Sequence, residues 1–421
     1  MLPIILFPLT GAADIASTTS AYGDSVIFLF MGGFLLALAM ERWNLHRRIA
    51  INIISRTGTR SKMLILGFMV ATAFLSMWIS NTATAMMMLP IGLAIILQES
   101  RSLEIQNGGA ARKSVLAKPL MLAIAYAASI GGLATLIGTP PNIVMAAIVE
   151  DTLGNTVFFS DWLLFALPLS LILLGVCWVY LVWFFNVGDH QLVQGNEDLK
   201  RQLHELGKIT VEEKRVLIIF CLTAFCWISR SFWLTKIIPQ LNDTMISLAG
   251  ATLLFIIPAK GGERLMNWDT AKKLPWGILL LFGGGLAIAE GFTTSGLAEW
   301  IGSHLSEAGR LNLIILMLLV VALINFLTEI TSNTATATIF LPVLASLSLG
   351  LGVSPYRLMI SATLAASCAF MLPVATPPNA VVFGSGQLEM RDMVKAGFSM
   401  NIISVIIITA YCYFLIPFFF N

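Results

Sequence analysis

Apolar residues run through this chain in long stretches near 25–40, 162–185, 215–229, 245–258, 276–292 and 398–419, each bounded by polar or charged positions. Such runs predict helices that cross a bilayer, which takes about 20 apolar residues apiece. Four further apolar segments are interrupted. Residues 63–97 and 313–349 carry Ser-Asn-Thr in mid-segment, at 80–82 and 332–334, whereas 119–149 and 357–384 carry Thr-Pro-Pro-Asn, at 139–142 and 376–379. Polar or helix-breaking residues persist at membrane depth only where protein or a cavity surrounds them. The first pair therefore reads as re-entrant hairpins and the second as broken transmembrane helices.

The interruptions recur in order. Phe30–Ala39 resembles Phe282–Gly291, Ser80 pairs with Ser332, and Thr139 pairs with Thr376. Two halves follow, residues 1–188 and 215–421, joined by a polar stretch, 189–214, in which Leu199, Leu203 and Leu206 recur at helical spacing as in an amphipathic arm. An odd number of crossings separates the two hairpins, so the repeats are expected to lie inverted in the membrane, the arrangement of alternating-access secondary transporters. The same register maps residue 1 onto residue 253, inside a span of the second half, so the first half is expected to lack counterparts for two spans and to be shortened at its N-terminus.

Composition narrows the class. The chain is 57% hydrophobic and 11% charged with a mean hydropathy of +0.86, against about 25% charged for soluble domains; an all-α polytopic membrane protein is expected. All but four of the 25 basic residues (Arg230, Lys236, Arg310 and Arg357 are the four) fall in loops that the hairpin topology puts on one face, while Glu150, Asp151, Asp161, Glu299 and Glu307 fall on the other. By the positive-inside rule the basic face is cytoplasmic and Asn421 lies outside. A net charge of +2 gives no reason to expect a nucleic-acid partner, and 4 His with 5 Cys supply little for a metal centre. The five cysteines sit in apolar stretches and read as packing thiols. The opening MLPIILFPLTG lacks the basic n-region of a secretory signal.

The candidate chemistry is at the interruptions. Ser80-Asn81-Thr82 and Ser332-Asn333-Thr334 each precede an Ala-rich helical run and can cap its N-terminus, where unpaired N–H groups and the helix dipole favour an anion without any cationic side chain. Two such ends suit a dianion. Carbonyls freed at the Pro-Pro breaks need partners, which Na⁺ supplies, and Ser76 and Thr328, one turn before the two Ser-Asn-Thr motifs, can add hydroxyl oxygens. Either motif alone is a common cap or turn; their paired recurrence at membrane depth is what points to a site. Glu290 and Glu329 are the intramembrane acids, suspects for a functional role by default. Met86–Met88 read as packing, and Gly32, Gly33 and Gly283–Gly285 as sites of close helix approach. An anion channel is a rival reading; an intramembrane enzyme finds no HExxH, paired aspartates or Ser–His arrangement.

At these residues the chain resembles the divalent anion/sodium symporter family, including the INDY-type bacterial sodium/dicarboxylate transporters, over essentially its whole length. The resemblance implies a homodimer in the cytoplasmic membrane, built of a scaffold and an elevator-type transport domain. It also implies Na⁺-driven uptake of C4-dicarboxylates such as succinate, malate and fumarate, with a sulfate, other divalent-anion or tricarboxylate carrier as the alternative. Carried over by motif, Ser80, Asn81, Thr82, Ser332, Asn333 and Thr334 contact the substrate, with Thr376 and Pro377 beside it. Sodium site 1 would use Ser76, Ser80, Asn81 and Gly138, and sodium site 2 Thr328, Asn333 and Ala375. Family members carry further spans ahead of the one at 25–40, where this chain has a short apolar segment.

Overall fold

A computed structural model describes residues 1–58, 60–106, 114–189, 203–297, 300 and 312–420. Leu199, Glu299, Glu307, Arg310, Asn421 and much of the expected arm lie outside the described residues. Helices dominate, and the one isolated β-bridge among the described residues, Pro258 to Arg264, closes a turn.

Caps written into the sequence set many helix starts. The chain begins with α1 (Leu2–Thr10) and α2 (Ile15–Ser20). Asp24 accepts the Val26 N–H at 2.8 Å at the head of α3 (Ser25–Arg42), and α4 (Leu45–Arg56) follows the left-handed Asn44. The first interrupted segment is α5 (Ser61–Ser76) and α6 (Asn81–Gln106); the second is α7 (Ala117–Gly132) and α8 (Pro140–Leu153). After α9 (Phe159–Phe184) comes α10 (Val211–Ser229), opened by a capping box in which Thr210 and Glu213 bond each other's backbone. Then follow α11 (Asp243–Ile256) and α12 (Trp276–Thr294), α13 (Leu313–Leu327) with α14 (Asn333–Gly350), α15 (Pro355–Ala366) with α16 (Pro377–Phe383), and α17 (Met390–Phe419). Among the described residues, six helices, counting α2 to α3 and α10 through Ile237 as continuous, are long and apolar enough to cross a membrane.

The six uninterrupted runs correspond to α3, α9, α10, α11, α12 and α17, and the four interrupted ones to pairs of helices. One expectation needs correction. The helix does not break at Thr-Pro-Pro-Asn: it unwinds before it, over 133–139 and 367–376, and Pro140 and Pro377 begin the next helix. A first-turn proline has no N–H to leave unsatisfied and its φ suits a helix, so the motif is a starter.

Packing sorts the helices into two groups. In one, α3, α10 and α11 pack on one another; α12 touches α3 and packs more extensively on α14 and α8 of the other. The other gathers α5 to α9 and α13 to α17; within it α7 packs on α5, α6, α9 and α16 and is buried on nearly all sides, as its apolar circumference requires. Within it the halves interlock reciprocally: α8 packs on α14, and α16 packs on α6 and α7.

Candidate functional site

The Ser-Asn-Thr turns each close a small cluster of oxygens. At the first, Ser76 ends α5, Asn81 begins α6, and the Ser76 hydroxyl lies 2.5 Å from Asn81 Oδ1 and 2.7 Å from the Ala128 carbonyl of α7. The same end of the Asn81 amide is 3.2 Å from the Ala128 carbonyl and 3.3 Å from that of Gly138. The two ends of the amide have the same shape, and the orientation that satisfies the cluster has the NH₂ on this side, donating to the Ser76 hydroxyl and to the Ala128 and Gly138 carbonyls. Gly132 makes room for it, since a Cβ there would fall 2.8 Å from Asn81 Oδ1 and 3.0 Å from the Gly138 oxygen.

The second turn repeats the geometry. Thr328 donates to Asn333 Oδ1 at 2.6 Å and approaches the Ala366 carbonyl at 3.0 Å. Ser76, Asn81 and Ala128 are thus matched by Thr328, Asn333 and Ala366. Ala375 holds the place in its loop, just before Thr-Pro-Pro-Asn, that Gly138 holds in the first. No lysine, arginine or histidine belongs to either cluster, so its oxygens are neutral or backbone groups.

The remaining predicted residues border these clusters. Ser80 caps α6 by accepting the Ala83 N–H at 3.2 Å, whereas the exposed Ser332 makes no such bond, contrary to the expected pair of caps. Thr82 is half-buried and Thr334 buried in the first turns of α6 and α14. Thr376 caps α16 through the Asn379 N–H at 3.3 Å, with Pro377 exposed beside it. Asn142 and Asn379, the last residues of the two Thr-Pro-Pro-Asn motifs, turn back to bond the loops before them: Asn142 Nδ2 reaches the carbonyls of Gly132, Leu133 and Thr135, and Asn379 Nδ2 those of Ala369 and Leu372. The two loops touch, with Thr139 Oγ1 3.4 Å from Ser367 Oγ, and the Phe370 ring of the second lies 4.9 Å from that of Tyr126 on α7.

The Ala128 and Ala366 carbonyls and Thr135 escaped the sequence reading, and Glu329, suspected on its depth alone, gains its partners. The Ala128 and Ala366 carbonyls carry no side-chain signature, although the repeated Ala-Ala-Ser at 127–129 and 365–367 marks the position. Thr135 ties its loop to the first tip by donating to the Met77 carbonyl at 2.5 Å. Glu329, buried beside the second tip, binds backbone N–H groups of the 367–376 loop. The other intramembrane acid, Glu290, accepts from Ser17 at 2.5 Å and thereby ties α2 to α12. A cavity of about 470 Å³ lies there, lined by Asp24, Asp151 and Glu290, which suit it poorly to an anion.

Helices of membrane-crossing length, interrupted helices with matched oxygen clusters at their breaks and an interlocked pair of halves define a multi-pass membrane transporter. The chain belongs to the family described as the sodium:sulfate symporter transmembrane region, whose family model matches residues 1–418. It is 45% identical over 425 residues to the sodium-dependent dicarboxylate transporter SdcS of Staphylococcus saprophyticus and 47% identical over 423 residues to that of Staphylococcus aureus, covering 99% of this chain and 81% of each relative. Two solved transporters share the fold at low identity. YdaH of Alcanivorax borkumensis matches with a TM-score of 0.64 at 14% identity, over 99% of this chain and 89% of its own. MtrF of Neisseria gonorrhoeae matches with a TM-score of 0.63 at 12% identity, over 97% and 84%.

Proposed function

We propose that the chain is a sodium-coupled symporter that carries C4-dicarboxylates, with succinate, malate and fumarate as substrates. The observation that carries this reading is the matched pair of oxygen clusters at the two turns: Ser76, Asn81 and the Ala128 and Gly138 carbonyls at the first, Thr328, Asn333 and the Ala366 carbonyl at the second, with no lysine, arginine or histidine in either. Neutral oxygens converging beside an unwound helix suit a monovalent cation, and Na⁺ there would offset the charge of a carboxylate at the adjoining helix end.

In this reading Ser76, Ser80, Asn81 and Gly138 hold one Na⁺, joined by the Ala128 carbonyl, and Thr328, Asn333 and Ala375 hold a second, joined by Ala366. The substrate's carboxylates meet Ser80, Asn81 and Thr82 at one tip and Ser332, Asn333 and Thr334 at the other, with Thr376 and Pro377 alongside and the α6 and α14 helix ends supplying N–H donors. The names of the staphylococcal relatives support a dicarboxylate and Na⁺. We further propose that α5 to α9 and α13 to α17 form an elevator-type transport domain moving against a scaffold that contains α3, α10, α11 and α12. On this reading the two halves, with 63–97 and 313–349 as re-entrant hairpins, lie inverted, two chains form a homodimer in the cytoplasmic membrane, and the C-terminus is outside. The rival cargo is sulfate, another divalent anion or a tricarboxylate, which the family description keeps in view.

Purified protein in proteoliposomes tests the reading. Succinate uptake is expected under an inward Na⁺ gradient and not under K⁺, with Li⁺ compared alongside, and with competition from malate and fumarate but not sulfate. Uptake indifferent to the cation gradient would point to a channel; competition by sulfate would move the assignment to the rival cargo.

A further inference from the structure

Resting on that reading, we infer that Glu329 is a positioning residue for the second cation site and not a proton carrier. It follows Thr328 directly and is 3% exposed. Oε1 accepts from the N–H of Phe370 at 2.7 Å and of Met371 at 2.9 Å, and from Asn401 Nδ2 at 2.7 Å, while Oε2 accepts from the N–H of Leu372 at 3.0 Å. Four donors converge on one carboxylate, and among the described residues no cation pairs with it.

The bonded loop is the one that contributes to the second cluster. It leaves α15 at Ala366, whose carbonyl approaches Thr328, and runs to Ala375. Three further amides tie it down: Asn325 donates to the Cys368 carbonyl at 2.6 Å, Asn379 to those of Ala369 and Leu372, and Asn401 accepts the Phe370 N–H at 3.2 Å. Glu329 is the member of this set that carries charge. Its N–H bonds hold the loop against the second tip, and its charge lowers the potential where a monovalent cation meets neutral oxygens.

The first half is built otherwise. The counterpart of Glu329 in the Ser-Asn-Thr register is Met77, which offers only its backbone carbonyl, to Thr135. The two cation sites are therefore unequal, the second carrying a charge that the first lacks. The second site is then the tighter of the two and fills first as Na⁺ rises.

Glu329→Gln keeps the shape and removes the charge, and places an NH₂ or a lost acceptor opposite one of the loop's N–H groups. In proteoliposomes the half-saturating Na⁺ for succinate uptake should rise by about tenfold, as loss of a nearby buried charge implies. The succinate KM at saturating Na⁺ and the pH profile of uptake should stay near those of the wild type. A merely structural role would lower the maximal rate without moving the Na⁺ dependence, and a proton carrier would change the pH profile; either result overturns the inference. Asn401→Ala, which removes one of the four donors, should move Na⁺ dependence the same way by less. Should Glu329→Gln not fold, an unchanged Na⁺ dependence in Asn401→Ala overturns the inference. Wild-type protein without Na⁺-driven uptake would instead refute the symporter reading itself.

Discussion

Asn81 shows how much one side chain can be asked to do in a site without charges. Its amide lies against the Ser76 hydroxyl and the Ala128 and Gly138 carbonyls, so truncation removes three contacts at once. Asn81→Ala, and separately Asn333→Ala, should reduce Na⁺-dependent uptake to the level of empty liposomes; full activity in either would remove that residue from the site. Gly132→Ala is a finer probe, because its Cβ would press on Asn81 and on the Gly138 carbonyl without deleting a ligand. The expected outcome is a half-saturating Na⁺ raised by about tenfold, the effect of roughly 1.4 kcal/mol, with little change in expression. At this scale the sequence was informative where a side chain is chemically odd for its surroundings. Asn81, Thr328 and Thr376 are polar residues in apolar runs and announce themselves. Ala128 and Ala366 join the clusters through carbonyls that every residue possesses, and the bonding of Glu329 joins positions 41 to 43 residues apart, so neither could be read without the fold.

Helices here approach one another through small residues, as membrane-embedded packing requires. The expected packing role of the glycines holds at three of them: a Cβ on Gly32 would meet Ser247 of α11, one on Gly283 would meet Tyr22, and one on Gly285 would meet Thr338 of α14. The α3–α11 pair is the clearest, because Ser247 also donates to the Leu29 carbonyl at 2.7 Å and sits where Gly32 leaves space. Alanine normally favours a helix over glycine by about 0.5–1 kcal/mol, but forcing extra volume into a packed contact costs about 1–3 kcal/mol. Gly32→Ala should therefore lower the thermal midpoint of the detergent-solubilised protein. Gly175→Ala on α9, where a Cβ meets nothing, should leave it unchanged or raise it. Element positions were legible because uninterrupted apolar runs leave few alternatives to a helix, whereas the caps at Asp24, Thr210 and Asn242 came only with the structure. The unwound stretches were displaced from expectation because proline marks where a helix can start as readily as where it must stop, and only the bonds from Asn142 and Asn379 back to the preceding loops decide which.

The division of the helices into two packed groups was not legible, because hydropathy gives each span a depth in the membrane and no neighbour. It rests on contacts between distant segments. The groups meet where α12 packs on α8 and α14, and at the N-terminus of α9. There Asp243 of α11 accepts the Phe159 N–H at 3.1 Å and pairs with Arg230 at 3.0 Å, while Arg230 lies over the Phe158 ring. Phe159 stacks on Trp227 of α10 at 4.9 Å, and Trp78, inside the first Ser-Asn-Thr turn, meets Phe220 of α10 edge-on at 5.0 Å. The first tip thus abuts the other group directly. If transport moves one group past the other, these contacts must break and re-form in each cycle, and a covalent tie across them must stop it. Ser160 of α9 and Ser231, just beyond α10, offer the place, their hydroxyl oxygens being 2.7 Å apart. Replacing both by cysteine should allow an oxidised pair with little backbone movement, since the two sulfurs need only come to about 2 Å. Oxidation of the Ser160→Cys, Ser231→Cys double variant should abolish Na⁺-driven uptake and a reductant should restore it. Each single variant should transport with or without oxidant, which controls for the native Cys221 and Cys226 on α10. Full transport by the cross-linked double variant would mean that the contact between α9 and α10 persists throughout the cycle, and that the moving boundary runs elsewhere, with the interface of α12 against α8 and α14 next to be tied.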